Sequence, residues 1–296
     1  MNQLVLIVGS GLITAALLAV AGVGFTLQFS VTNVLNIAYG SVMGAAAFAA
    51  YEVNKAGANL WVSGLVAAAT GAMLSLAMNR GVFKPFERRR AGVFTLIILS
   101  LAISLILDNV VLMVGGPFFF SYKQLGQASV RIAGVGFPPS QVFIVGAAVV
   151  LMFAVHAMQK WTKLGKAMRA TATNPELAKA SGVRTGLVID LAWLISGALC
   201  GLAGLFMGII VGAFNASTGS SFLVPIIAAV VLGGIGESYG AMLGALTIGL
   251  VSEAAASIAG VSALKQLVAF AILIGMLLLR PQGIMSGTAA QRGLVR

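Results

Sequence analysis

Few side chains in this sequence could do covalent or acid–base chemistry. One histidine, one cysteine and seven acidic residues are spread over 296 positions. His156 stands near the end of an apolar run, five residues before Trp161, and reads as an interfacial residue rather than a general base. A zinc site needs several nitrogen or sulfur ligands, and there is no second histidine or cysteine to supply them. Cys200 lies among apolar residues and reads as a small buried hydrophobe. No serine stands in a nucleophile-elbow context. Gly165-Lys166-Ala167 lacks the earlier glycine and the following hydroxyl of a phosphate-binding loop, so the chain is not expected to cradle ATP phosphates. Enzymatic catalysis is therefore not expected.

Three acids fall inside apolar stretches: Asp108, Asp190 and Glu253. Charges in hydrocarbon are costly, so each is a functional candidate by default. Asp190, near Arg184, suits a helix cap or an ion pair. Asp108, followed by Asn109, and Glu253 suit either structural pairing or contact with a passing solute. A proton-coupled carrier would show a richer relay of carboxylates and histidines, which favours a transporter driven from outside the chain, with a stand-alone secondary transporter or channel as the alternative.

The elements that position these residues follow from composition. Hydrophobic residues make up 59% of the chain and charged ones only 8%, against about 25% charged in a soluble domain. The expected fold is all-α: a polytopic membrane helical bundle of about 8–10 spans. The nine candidate segments are Leu4–Phe29, Val34–Val53, Leu60–Asn79, Val93–Val114, Gln141–Met158, Val188–Gly212, Leu223–Ile235, Tyr239–Ile258 and Leu264–Leu279. The first basic residue is Lys55, so the first segment reads as a retained span rather than a cleaved signal. One transmembrane domain, 1–296, is expected.

The net charge of +11 does not point to nucleic acid, because of where it sits. Fourteen of the eighteen basic residues fall in three islands. The first holds Arg80, Lys84, Arg88, Arg89 and Arg90. The second holds Lys160, Lys163, Lys166, Arg169, Lys179 and Arg184. The third is the tail with Arg280, Arg292 and Arg296. This is the positive-inside pattern, which puts all three islands in the cytoplasm, the N-terminus outside and the C-terminus inside. Outside loops are short except Gly115–Ser140, where Phe118, Phe119, Phe120 and Tyr122 suggest an interfacial aromatic belt or a docking surface for an extracytoplasmic partner.

Glycines recur at Gly197, Gly201, Gly204, Gly208 and Gly212, one helix face on which a neighbour can approach closely. A weak internal repeat aligns Tyr39-Gly40-Ser41-Val42-Met43-Gly44-Ala45 with Tyr239-Gly240-Ala241-Met242-Leu243-Gly244-Ala245. Each copy follows a helix-breaking stretch: Thr32, Asn33 and Asn36 before the first, Gly233, Gly234, Gly236 and Glu237 before the second. Two possible broken helices at matching places point to a substrate path lined by Asn33, Asn36, Tyr39, Gly40, Asp108, Glu237, Tyr239 and Gly240.

The polar stretch Leu164–Val183, within the loop 160–187, has its own helix grammar. Asn174 is an N-cap residue, Pro175 suits the first helical position, and Glu176 lies in the first turn. Gly182 stands where a left-handed C-cap residue is wanted. The preceding helix should end near Thr173, because the residue before a proline avoids the α region. A short capped helix results, with Met168 and Leu177 as apolar and Arg169 and Glu176 as polar contacts for a partner.

That stretch, LGKAMRATATNPELAKASGV, resembles the cytoplasmic loop of the permease subunits of branched-chain amino acid ABC importers. Gly24-Phe25-Thr26-Leu27 through Asn33, Asn36, Ile37, Ala38 and Gly40, then Leu232-Gly233-Gly234-Ile235-Gly236, and finally Arg280-Pro281-Gln282-Gly283 are similar to other stretches of that family. The resemblance implies a permease in the bacterial inner membrane, joined by a second related permease, two ABC ATPase subunits and an extracytoplasmic solute-binding protein. ATP and Mg would be bound by the ATPases, with no cofactor in this chain. The implied cargo is branched-chain or other hydrophobic amino acids, with urea, amides or aromatic acids as alternatives. The family often has His-Gly-Glu where this chain has Tyr39-Gly40-Ser41, and a proline where it has Tyr239.

Overall fold

A computed structural model of the chain describes residues 2–89, 91–123, 130–132, 135–261, 264–279 and 283–284. It is a helical bundle in which each of the nine expected segments contains a helix, the second starting only at Tyr39. The helices are α1 (Asn2–Thr32), α2 (Tyr39–Lys55), α3 (Leu60–Met78), α4 (Lys84–Arg88), α5 (Val93–Gly115), α6 (Pro139–Trp161), α7 (Lys163–Thr173), α8 (Pro175–Ala180), α9 (Thr185–Val211), α10 (Thr218–Ser221), α11 (Leu223–Gly233), α12 (Ser238–Ala259) and α13 (Leu264–Leu279). A π-helical turn, Asn79–Phe83, joins α3 to α4. Among the described residues, the departure from helix is a small antiparallel hairpin, β1 (Val130–Ile132) on β2 (Val135–Phe137), in the long loop before α6. Arg90 and the basic tail with Arg280, Arg292 and Arg296 lie outside the described residues.

Among the described residues, six stretches are long and apolar enough to cross a membrane: Leu4–Thr32, Leu60–Arg88, Val93–Gly115, Pro139–Trp161, Thr185–Val211 and Ser238–Ile258. Helix is the natural state for such segments, because it satisfies every backbone N–H and C=O internally where no water can. The chain is a multi-pass membrane protein.

In lipid, side-chain burial gives little drive for helix association, so close backbone packing has to supply it. The α9 glycines do this for two neighbours rather than one. Gly197 and Gly201 lie against the α3 backbone at Gly71 and Ala67, and Gly204 lies against Met43 of α2. A side chain at any of the three would strike main-chain atoms. Gly208 faces the rings of Tyr122 and Phe214, and Gly212 (φ +78°) ends the helix. Long α1 packs on α12, α9 and α6.

The interrupted helices differ from expectation at one of their two places. The first break is where it was predicted. At one end of the bundle α1 brings Val31 to Met168 of α7. Residues 33–38 then climb back inside, and the Tyr39 hydroxyl donates to the Ala21 carbonyl at 2.9 Å. Ala21 is eleven residues from the end of α1, so the Tyr39 hydroxyl at the start of α2 reaches a point about 16 Å up the bundle. The second break is not at Gly233–Glu237. There Gly234 (φ +111°) and Gly236 (φ +93°) make a tight turn, and Gly240 packs on Gly233, so α11 and α12 form a continuous helical hairpin. The counterpart of the first break is the link after α9. It turns back into the bundle, and Gly219 of α10 packs on Gly40 at the start of α2. The paired Tyr-Gly-x-x-x-Gly motifs therefore share a packing device, not a position in the fold.

The aromatic loop also divides. Phe118 and Phe119 are exposed, as a membrane-interface belt would be. Phe120 and Tyr122 are buried with Phe48, Tyr51 and Phe214. Phe120 and Phe214 exchange backbone hydrogen bonds of 2.7 and 3.0 Å, which tie the loop to the link after α9. The Tyr122 hydroxyl donates to Ala47 at 2.7 Å, and burial pushes its phenol well above the ordinary tyrosine range.

Candidate functional site

Two groups of residues could serve function: an elbow at one end of the bundle, and a polar ladder in its middle. The elbow is built from caps. Thr162 accepts a bond from the Gly165 N–H at 3.1 Å and starts α7, which ends at Thr173 as expected. Asn174 Oδ1 accepts from the Leu177 N–H at 2.9 Å and starts α8, with Pro175 in its first turn. At the far end the Gly182 N–H donates to the Lys179 carbonyl at 3.1 Å, and the Val183 N–H to the Ala178 carbonyl at 3.0 Å. That is the Schellman pattern, and it needs the left-handed conformation Gly182 adopts (φ +86°).

The residues proposed as partner contacts are used in different ways. Leu177 is 64% exposed and Met168 only 5%. Met168 packs with Val31, Val188 and Ala192. It is an anchor that ties α7 to the feet of α1 and α9, and its expected role as a presented apolar contact is corrected. The physical reason is helical phase: nine residues separate Met168 from Leu177, and the break at Asn174 rotates α8 so that Ala178 turns inward and Leu177 outward. Arg169 donates to the Gln159 carbonyl, holding α7 to the end of α6, while Glu176 is exposed. The short helix also finds support within its own chain, through Ala178 and its packing on α7 and α9.

Just beyond the elbow, Asp190 near the foot of α9 is an ion-pair partner, but not of Arg184. Its carboxylate accepts from Arg80 at 2.9 and 3.0 Å and from Asn79 Nδ2 at 2.8 Å, with Lys84 Nζ at 3.6 Å. The first basic island is thereby tied to the base of α9. Glu253 takes the structural alternative too, pairing with Lys265 at 2.7 Å.

The ladder lies where the two interrupted helices meet. On α5, Ser100, Ser104 and Asp108 follow at spacings of four, so they share one face. Ser100 accepts from the Ile37 N–H at 3.2 Å, and Ser104 pairs with Ser41 at 2.7 Å. Asn36 is buried with neither amide atom partnered among the described residues. Above the serines, Asp108 and Asn109 line a cavity of about 300 Å³ with Leu112, Gly116, Pro117, Asn215, Ala216 and Ser217. Asp108 Oδ1 is buried and makes no hydrogen bond among the described residues. Sequence reading found Asp108 but missed Ser100, Ser104 and Asn215. The four-residue spacing of polar residues on an otherwise apolar helix was the available signal for the serines.

The predicted path residues thus fall into two sets. Asn36, Tyr39, Gly40 and Asp108 share the middle of the bundle. Asn33, Glu237, Tyr239 and Gly240 do not join them, which corrects the single path drawn through both breaks. Asn33 (φ +53°) caps the end of α1, its N–H donating to Phe29 at 2.7 Å. Glu237 is exposed ahead of α12, and Gly240 packs on Gly233. Tyr239 bonds His156 Nδ1 at 2.6 Å beside Gln159–Ser238 at 2.7 Å, which clamps α12 to the end of α6. Glu237, Tyr239 and Gly240 sit at the elbow end because Gly233–Glu237 is a hairpin turn and not a re-entrant break, and Asn33 because α1 ends there.

A family model described as branched-chain amino acid transport system / permease component matches residues 7–277. The chain is 27% identical to the high-affinity branched-chain amino acid transport system permease protein BraD of Pseudomonas aeruginosa, over 93% of this chain and 94% of that one. It is 31% identical to a protein named "probable branched-chain amino acid transport permease protein LivH" in Methanocaldococcus jannaschii, over 94% and 91%. Among solved structures it resembles PsaBC from Streptococcus pneumoniae in complex with Fab. The TM-score there is 0.52 at 13% identity, over 92% of this chain and 91% of that one, a likeness of fold.

Proposed function

Since this chain belongs to the family of branched-chain amino acid transport system permease components, we propose that it is the membrane-embedded subunit of an ABC importer for branched-chain or other hydrophobic amino acids. The observation that carries the reading is the elbow. A short helix, capped at both ends and exposed through Leu177 and Glu176, projects from the bundle among basic residues. It is anchored by Met168 to the feet of α1 and α9. Such an element can take a push from a partner and pass it to two long helices.

In this reading the basic end is cytoplasmic and α8 rests on an ATPase subunit. Two such ATPases bind the ATP and Mg, and their closure moves the elbows. α1 and α9 rock in response, each carrying one of the interrupted helices that meet at Gly40 and Gly219. A bistable element biased by a partner is what such coupling requires. A second related permease completes the passage, and an external solute-binding protein delivers cargo. Residues 1–296 act as one transmembrane domain in the bacterial inner membrane. The middle of the bundle offers the solute hydroxyls and amides with few charges, which suits an amino acid with an apolar side chain.

The test is co-purification and reconstitution. A Walker-motif protein should co-purify with this chain, and uptake in proteoliposomes should require ATP. Transport of solute by the purified chain with no nucleotide hydrolase present would overturn the proposal.

A further inference from the structure

We propose that the cavity at Asp108 is a subsite for the zwitterionic head of the amino-acid cargo, with the Asp108 carboxylate holding its ammonium group. This deepens the function proposed above and rests on it.

Asp108 has no ion-pair partner among the described residues. The hydroxyls of Ser41 and Ser220 lie beside its carboxyl, but Oδ1 is buried without a hydrogen bond, on a helix otherwise nearly all apolar. A carboxylate so placed is stabilised by a cation. Among the described residues, no basic side chain lines the cavity. The α5 helix ends at its rim, at Gly115, and helix C-termini carry a partial negative charge that also favours a cation. No cluster of three or more potential metal ligands occurs among the described residues, so one carboxylate with neutral neighbours suits an ammonium better than a divalent ion.

The remaining lining answers the other parts of an amino acid. Asn215 Oδ1 is occupied, accepting from the Ser217 N–H, the Ser217 hydroxyl and the Thr218 hydroxyl at 3.2, 3.1 and 2.8 Å. Its amide NH2 is left as a donor for a carboxylate. Leu112, Pro117 and Ala216 supply an apolar wall for a side chain. About 300 Å³ is at the small end of ligand pockets, about 300–1,000 Å³. Asp108 then selects for solutes bearing a positive amine and against isosteric acids that lack one.

The experiment uses the complete transporter in nanodiscs. Asn109→Cys places a thiol in the cavity wall, and the one native cysteine, Cys200, is fully buried and gives little background. Modification by a small cationic thiosulfonate is timed with leucine or with 4-methylpentanoate, which is leucine without its amine. Leucine should slow the reaction and 4-methylpentanoate should not. Adding Asp108→Asn should abolish the protection and slow the cationic reagent about tenfold relative to an anionic one, whereas Asp108→Glu should retain part of both effects. Equal protection by the two acids, or protection that survives Asp108→Asn, overturns the subsite. So does dissociation of the two permeases in Asp108→Asn, which would make this carboxylate a subunit contact. ATP-dependent uptake with no Asp108 effect sinks this inference alone; loss of the ATP requirement sinks the function on which it rests.

Discussion

At the scale of single residues, direction matters more than identity. Met168 and Leu177 are both apolar and both in the elbow, yet one is an internal anchor and the other a presented surface. Truncating Met168 to Ala should cost about 2–5 kcal/mol of local packing. The expected outcome is retained ATPase binding with uncoupled transport, read as co-purification against ATP-driven uptake. Leu177→Asp should instead lose the ATPase on co-purification while the purified permease keeps its melting temperature. Asp190→Ala removes the acceptor for Arg80, Asn79 and Lys84 together. It should lower the thermal midpoint in detergent, and Asp190→Glu should recover part of the loss. Equal stability of Asp190→Ala and the wild type would show that the clamp at the foot of α9 is ornamental.

At the scale of elements, caps and close packing set the shape. Asn174→Ala deletes the N-cap of α8, at about 1 kcal/mol, and Gly182→Val forces a β-branched residue to φ +86°. Either should lower stimulated ATPase activity and uptake while membrane insertion persists, and normal transport by both would refute the elbow as a coupling element. Glycines in the helices separate into two classes. Gly201→Leu would drive a side chain into the Ala67 carbonyl and should prevent α3 and α9 from docking, seen as loss of a monodisperse complex. Gly146, with open space around it, should accept Ala without loss and with a gain of up to about 1 kcal/mol in helix propensity.

At the scale of the whole molecule, α1 and α9 run from the elbow to the middle of the bundle, and in the proposed mechanism they serve as its levers. Both pass the interrupted helices, and both end on the Met168 cluster. A rigid-body motion of the elbow would therefore reach Gly40 and Gly219 without any change inside the helices. The orientation implied by the basic islands has a direct check. In spheroplasts and inverted vesicles, a cysteine placed at the exposed Phe119 should react with an impermeant reagent from outside, and one at the exposed Ala172 from inside. The opposite pattern would reverse the topology and place the elbow away from any cytoplasmic ATPase.

What the sequence determined by itself was whatever is local or compositional. Membrane solvent, the nine helical segments, the capped elbow and the end of α7 at Thr173 all follow from apolar runs and cap chemistry within a few residues. So did the candidacy of Asp108, since a carboxylate in an apolar run is conspicuous without a structure. The tertiary structure alone decided which partners answer each group, because these contacts join residues distant in the chain. Asp190 chose Arg80 over the nearer Arg184, and Tyr239 chose His156 over the middle of the bundle. The second break moved from Gly233–Glu237 to the link after α9, because glycines that could end a helix could equally let two helices touch. Only the packing of Gly240 on Gly233, and of Gly219 on Gly40, tells those two uses apart.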